Sequence, residues 1–150
     1  MKPRDGREMA LKFLFSSEFK KTDSKEDQNY DSNEKLLNKL LIFRKSFKAS
    51  DEVWNFVTKI ISAYEMNHLQ IDSKIKDQLK NWKVERLSFT DKNILRIALT
   101  EMLYLDLKPK IAINEAIELS KKCSNLESGS FINGVLDSLT PTDQIYKGAD

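Results

Sequence analysis

The stretches INEAIELSKK, residues 113–122, and SFINGVLD, residues 130–137, decide the fold. In the second stretch and just beyond it, apolar side chains recur at helical spacing and predict one buried stripe: Ile132, Val135, Leu136 and Leu139. At ~100° per residue, Phe131 lies on the flank of that stripe and Gly134 lies nearly opposite it. The two stretches predict the last two helices of an all-helical domain. Outside its core face, the second helix offers an aromatic ring, an amide and a bare backbone, which is typical of a contact surface.

The composition is typical of a helix-rich globular chain. The length of 150 residues indicates one domain, residues 1–150, which can bury a core without disulfides or metals. Hydrophobic residues make up 40% of the chain and charged residues 32%, and there are only four glycines and three prolines. The formal net charge of +2 is too small to indicate a nucleic-acid partner, so any basic surface must come from how the charges are distributed.

Cysteine usage and hydropathy limit the cellular compartments in which the protein is expected. Cys123 is the only cysteine, which excludes an intrachain disulfide and fits a reducing compartment. The N-terminus lacks the apolar core of a signal peptide, and no segment approaches the ~20 apolar residues that span a bilayer. The sequence therefore predicts a soluble cytoplasmic protein without a membrane partner.

In the first third of the chain, polar segments alternate with helical patterns. Residues 1–6 are polar and partly basic and are expected to be flexible, so the first helix is expected from near Gly6 to about Phe19. Residues 22–35 contain one large apolar side chain, Tyr30, and are predicted to form a loop. A second helix follows, and its outer face carries four basic residues: Lys39, Arg44, Lys45 and Lys48. A solvated face is the simpler interpretation, and contact with RNA is the alternative.

Apolar periodicity continues through the remainder. It predicts a third helix with Ser50 or Asp51 as its N-cap. A phase change around residues 67–68 indicates two helices or one broken helix. Trp82 at its end is interpreted as a cap on the core. The spacing of Ser88 and Asp91 fits a capping box, in which the Asp91 carboxylate can reach back to the free backbone N–H at the start of the helix. The broadest apolar face follows and predicts a central helix: Ile94, Leu95, Ala98, Leu99, Met102 and Leu103. Residues 141–150 are expected to be a polar tail, and with no β signal the whole chain is predicted to be all-α, with six or seven helices.

Catalytic and metal-binding patterns are missing from the sequence. A structural zinc site needs about four nitrogen or sulfur ligands, whereas the chain has one histidine, His68, and one cysteine. The glycines form neither a phosphate-binding loop nor a dinucleotide fingerprint. Glu115 and Glu118 precede Lys121 and Lys122, an order that stabilises a helix through its dipole. No enzyme, cofactor or metal is therefore predicted.

Several segments together resemble the NusB family of bacterial transcription antitermination factors. They are REMALKFLF at residues 7–15, ILRIALTEM at residues 94–102, and the two stretches quoted first. The resemblance runs over essentially the whole chain, in order. It implies a helical bundle in two subdomains that works as a binding protein. It also implies a partner, the small-subunit ribosomal protein NusE, with which the protein would bind the boxA element of ribosomal RNA leader transcripts and help RNA polymerase pass termination signals.

The resemblance also implies site residues, position by position. The positions implied to meet RNA are Lys2, Arg4, Arg7, Lys121, Glu127, Ser128 and Phe131. The positions implied to meet NusE are Phe15, Glu85 and Asp91. The family's N-terminal arginine cluster is interrupted here by Pro3, Asp5 and Gly6, and Phe15 stands where tyrosine is common. RNA affinity is therefore expected to be weaker, or to depend more on NusE or on the basic face of the second helix.

Two other functions remain open from the sequence alone. One is an RNA-recognition module like those fused to ribosomal RNA cytosine methyltransferases, although residues 1–150 contain no glycine-rich cofactor loop. The other is a helical adaptor that binds only proteins. The sequence does not fix the oligomeric state, because family members occur as monomers and as homodimers.

Overall fold

Six α-helices follow one another in the residues that the computed structural model describes, which are 2–21, 32–82 and 87–141. They are α1 (Lys2–Lys21), α2 (Ser32–Ser46), α3 (Asp51–Asn81), α4 (Phe89–Tyr104), α5 (Pro109–Cys123) and α6 (Ser128–Leu139). No strand occurs within these ranges, so the predicted all-α class and the number of helices are confirmed. None of the described helices is long and apolar enough to cross a membrane.

The chain divides into two compact units, Met1–Lys59 and Ile60–Asp150, and the division falls inside α3. In the first unit, the inner face of α1 is buried at Ala10, Leu11, Phe13 and Leu14. Phe13 meets the ring of Phe43 in α2 edge to face, with 5.4 Å between ring centroids. This geometry is favourable for aromatic pairs and joins the two helices.

Two helix boundaries differ from the sequence prediction. The predicted flexible segment 1–6 is helical from Lys2, because Pro3 suits a first helical turn and the bare backbone of Gly6 packs against the Phe56 ring. The predicted loop 22–35 is wrong at its end, because α2 already begins at Ser32, with Glu34 in its first turn, where a negative charge is favourable. Residues 22–31 lie outside the described part of the chain, as do 142–150 of the predicted tail.

The second unit is built on α4, which packs against α5 and α6. All residues from 93 to 102 are buried, so α4 is covered around its whole circumference and is the predicted central helix. The predicted core positions Leu95, Ala98, Leu99 and Met102 are buried. In α6 the predicted stripe is buried at Ile132, Val135 and Leu136 and half-buried at Leu139.

The predicted break in the third helix is confirmed. Asn67 has non-helical angles, φ −124° and ψ 16°, and its side-chain amide donates a hydrogen bond to the Ala63 carbonyl at 2.8 Å. This bond satisfies a carbonyl in the turn before the kink. Tyr64 and Asp72 lie on either side of the kink, and the Tyr64 hydroxyl donates to the Asp72 carboxylate at 3.0 Å.

A buried arginine secures both sides of this kink to α4. Arg96, only 8% exposed, donates from Nε to Asp72 at 2.9 Å and from Nη1 to the Asn93 amide oxygen at 2.9 Å. Its guanidinium also lies 5.3 Å from the centroid of the Tyr64 ring. Burial raises the pKa of Tyr64 well above its usual range, so the hydroxyl stays protonated and remains a donor to Asp72. The kinked helix is thus held to α4 by a charge-assisted network.

Replacing Leu99 by alanine tests the central position of α4. Leu99 is fully buried, so Leu99→Ala should lower the free energy of unfolding by about 2–5 kcal/mol, through lost burial and a residual cavity. Leu69→Ala is the matched control, because it deletes the same atoms from a side chain that is 72% exposed. Urea unfolding measures both variants, and equal small effects would contradict the assignment of α4 as the core helix.

Candidate functional site

The N-terminus of α4 forms half of the predicted capping box. Ser88 is the N-cap residue, and its hydroxyl accepts a hydrogen bond from the Asp91 backbone N–H at 3.1 Å. The Asp91 carboxylate does not complete the box, because it accepts hydrogen bonds from the hydroxyls of Ser124, at 2.8 Å, and Ser128, at 3.1 Å. Asp91 therefore links helices rather than capping its own.

This arrangement, which we term the Asp91 clamp (Asp91, Ser124 and Ser128), joins three helix ends. Ser124 is the C-cap residue of α5 and Ser128 is the first residue of α6. The side-chain oxygen of Asn125 accepts the Ser128 backbone N–H at 2.9 Å, which satisfies one of the free donors at the start of α6. The short α5–α6 turn is therefore held at both ends against the start of α4.

A shallow depression of about 270 Å³ lies over the clamp. It is lined by Leu87, Ser88, Asp91, Asn125, Glu127, Ser128 and Phe131. The structure thus brings together three of the positions predicted to meet RNA, Glu127, Ser128 and Phe131, with one predicted to meet the partner, Asp91. Among the described residues, no three metal-ligating side chains come together. The groups at the depression can donate and accept hydrogen bonds and offer one aromatic ring.

The ring of Phe131 is half-buried and forms an edge-to-face pair with Trp82, with centroids 5.6 Å apart and planes at 89°. Trp82 is 44% exposed, so it covers the core only in part and leaves much of its ring in solvent. The sequence placed Phe131 beside the apolar stripe but did not identify the indole as its neighbour. Gly134 was the feature of the sequence that could have indicated such a neighbour, because it lies one turn after Phe131 and its bare backbone leaves room for a large group.

Lys121 and Arg4, two of the positions predicted to meet RNA, have exposed side chains. Lys121 lies in the last turn of α5, and its ammonium is 3.4 Å from the Glu118 carboxylate. Both side chains of this pair are well exposed, and such pairs contribute little, so the lysine can turn to another anion at small cost. Arg4 is exposed in the first turns of α1. The side chain of Lys2 lies outside the described part.

Arg7 is more buried than Arg4 and Lys121. It is only 8% exposed, and its guanidinium carbon lies 5.4 Å from the centroid of the Phe56 ring. A cation over an aromatic face is attracted to it, and burial of the stem strengthens the packing. Little guanidinium surface is left for a phosphate, so the structure favours a packing role for Arg7.

The remaining predicted positions lie in different parts of the chain. Phe15 is 39% exposed on α1, which suits a contact residue, and Glu85 lies outside the described residues. On the basic face of α2, Arg44 is paired with Asp51 and lies 5.5 Å from the centroid of the Trp54 ring. That face is therefore partly neutralised, which favours its interpretation as an ordinary solvated surface.

Removing the Asp91 carboxylate tests the clamp. Asp91→Ala removes a charged acceptor from two part-buried hydroxyls, of which Ser128 can still donate to Asn125, and should lower the free energy of unfolding by about 1–3 kcal/mol. Asp137→Ala is the control, because it removes an exposed carboxylate near the C-terminus of α6, where negative charge is unfavourable. Thermal melting of both variants measures the difference, and an Asp91→Ala protein as stable as the control would show that the clamp holds nothing together.

The sequence is similar to one family of known proteins along both units of the chain. The sequence model of the NusB family matches residues 4–141. The transcription antitermination protein NusB of Bdellovibrio bacteriovorus is 40% identical over 138 residues, which cover 91% of this chain and 93% of that protein. Both matches extend over the first unit and the second.

Solved structures give the same picture of the fold. NusB of T. maritima superposes with a TM-score of 0.74 at 27% identity, and 96% of each chain is covered. A crystal structure of the antitermination factors NusB and NusE in complex with double-stranded RNA gives a TM-score of 0.66 at 22% identity, covering 91% of this chain and 94% of that one. The second likeness shows a shared fold.

Proposed function

This chain belongs to the NusB family, and on that premise we propose that it is a transcription antitermination factor that binds boxA-type leader RNA of ribosomal RNA operons together with NusE. In this proposal it is a binding protein and not an enzyme. It acts in the cytoplasm, within the complex that carries RNA polymerase past termination signals. The observation that carries the proposal is the aromatic ring of Phe131, held at a fixed place beside polar groups by the Asp91 clamp.

The chemistry of this site suits an unpaired nucleotide. Sequence-specific RNA recognition relies on splayed bases that stack on aromatic rings and present their edges to hydrogen-bonding groups. Phe131 is half-exposed, and the exposed carboxylate of Glu127 is an acceptor of the kind that pairs with an exocyclic amino group. Because the clamp fixes the start of α6, the ring does not have to be ordered when RNA binds, which lowers the entropic cost of binding.

Phosphate contacts would come from exposed cations. Among the described side chains, Lys121 and Arg4 are the exposed basic members of the predicted set. Each cation that neutralises a phosphate releases counterions, so binding should weaken as salt rises. Arg7 would stabilise α1 by packing on Phe56 rather than touch RNA.

NusE is proposed to contact the surface of α1 that exposes Phe15. An aromatic side chain that stays 39% exposed on a helix is the type of residue that anchors protein interfaces. The solved complex of NusB and NusE with RNA has the same fold as this chain, which supports a similar pairing here. Asp91 would affect NusE binding by holding the α5–α6 turn in place rather than by touching NusE, because both of its oxygens accept hydrogen bonds from serines of this chain.

The stacking role of Phe131 can be tested by titration with single-stranded boxA RNA, with and without NusE. Phe131→Ala should weaken binding by about 1–3 kcal/mol, the usual contribution of one stacked base, and should leave the salt slope unchanged. Tyr104→Ala is the matched control, because it removes an exposed ring about 20 Å away at the other end of α4. A Phe131→Ala protein that melts at a lower temperature yet binds RNA like wild type would assign the ring to the core.

The salt dependence separates phosphate contacts from packing. Lys121→Ala should reduce the slope of log affinity against log salt by up to about one unit. Arg7→Ala should leave that slope unchanged and lower the melting temperature, since it removes a buried cation from the Phe56 ring. A wild-type protein that binds NusE but shows no salt-dependent RNA binding would favour the protein-only adaptor.

A further inference from the structure

Trp82 is an unusual residue for its position. It directly follows α3, and its backbone N–H donates to the Gln78 carbonyl at 3.2 Å, so the last helical turn holds its backbone. The indole is nevertheless 44% exposed. Tryptophan rings kept partly in solvent while one side is packed are enriched at interfaces, because they contribute large contact area at low entropic cost.

The packed side of the indole rests on α6 at Gly134. A Cβ atom built at Gly134 would lie 2.4 Å from both Cζ2 and Cη2 of Trp82, closer than any real side chain allows. Glycine in the middle of a helix is destabilising relative to alanine, so a close approach of another group is the physical reason to have it there. The benzene ring of the indole is therefore seated directly on the α6 backbone, one turn after Phe131.

The geometry of the two rings limits what can bind to them. Their planes are perpendicular, at 89°, with centroids 5.6 Å apart. A base that stacks on one ring is turned by about a right angle from a base that stacks on the other. Neighbouring bases in a duplex are nearly parallel, whereas unpaired bases can be splayed apart. The pair of rings therefore fits a single strand and not a regular helix.

The last two turns of α3 carry more positive than negative charge. Lys76 and Lys80 are exposed there, about 9 Å and 3 Å before Trp82 along the helix axis and about 120° and 160° away from it around the axis, with Asp77 between them. Positive charge at the same end of the helix as a stacking ring suits the backbone phosphates of a single-stranded nucleic acid.

We propose that Trp82 is a second base-stacking residue, which extends the Phe131 surface by one unpaired nucleotide, and that Gly134 is the position that seats it. This inference rests on the RNA-binding function proposed above. It assigns to the end of α3 a role that neither the family resemblance nor the apolar pattern assigned.

The affinity test uses fluorescence anisotropy of labelled single-stranded boxA RNA with the full chain. Trp82→Ala should weaken binding about 5- to 150-fold, the equivalent of one stacked base, and Trp82→Phe should retain most of the affinity. The salt slope should stay the same in both variants, since no cation is removed. Trp54→Phe is the matched control, because Trp54 is a buried tryptophan of the first unit.

A fluorescence test separates stacking from a structural role. Trp54→Phe leaves Trp82 as the only tryptophan, so its emission should be quenched as the RNA saturates the protein. Trp82→Phe leaves only the buried Trp54, and its emission should not change. An unquenched Trp82 in a protein saturated with RNA would overturn the inference, even if Trp82→Ala itself fails to fold.

A substitution at Gly134 gives an independent test. In Gly134→Ala the new methyl group displaces the indole from the α6 backbone, so RNA binding should weaken by a similar factor. Adding Trp82→Ala to this variant should weaken binding no further. If Trp82→Ala binds as tightly as wild type while Phe131→Ala loses affinity, the inference fails and the proposed function stands. If the wild-type chain binds no RNA with or without NusE, the proposed function itself fails.

Discussion

One carboxylate holds the candidate site together. Asp91 accepts hydroxyl hydrogen bonds from the end of α5 and the start of α6, and these bonds tie the α5–α6 turn to the start of α4. Hydrogen bonds to a charged acceptor are stronger than neutral ones, so a turn with exposed side chains such as Leu126 keeps a defined shape. The direction of α6, and with it the position of Phe131, follows from that turn.

The same helix that carries the clamp also carries the rigid centre of the second unit. Arg96 lies five residues after Asp91 and is bonded to Asp72 beyond the kink of α3. Asp91 thus ties the α5–α6 turn to the start of α4, and Arg96 ties the second half of α3 to the middle of α4. Trp82 directly follows that half of α3. The ring pair of Trp82 and Phe131 is thus formed by two elements that α4 holds independently.

Features encoded locally could be predicted from the sequence. Apolar spacing alone identified the core of α4, and the change of phase at Asn67 identified the kink, because both depend on neighbours within a few residues. Features that depend on distant residues could not be predicted in this way. Gly6 suggested a helix start until its packing on Phe56 was known, and Arg7 suggested a free cation until that ring covered it. The partners of Asp91 lie more than 30 residues away along the chain.

Phe131, held by the clamp, is proposed to stack on an unpaired base of the RNA. The most direct measurement is an NMR titration of the chain, labelled at its phenylalanine rings and leucine methyl groups, with single-stranded boxA RNA. Ring-current effects of the stacked base should shift the resonances of the Phe131 ring protons, while the methyl resonances of the buried Leu99 should not shift. Saturation of the protein with RNA while the Phe131 resonances do not move would contradict it.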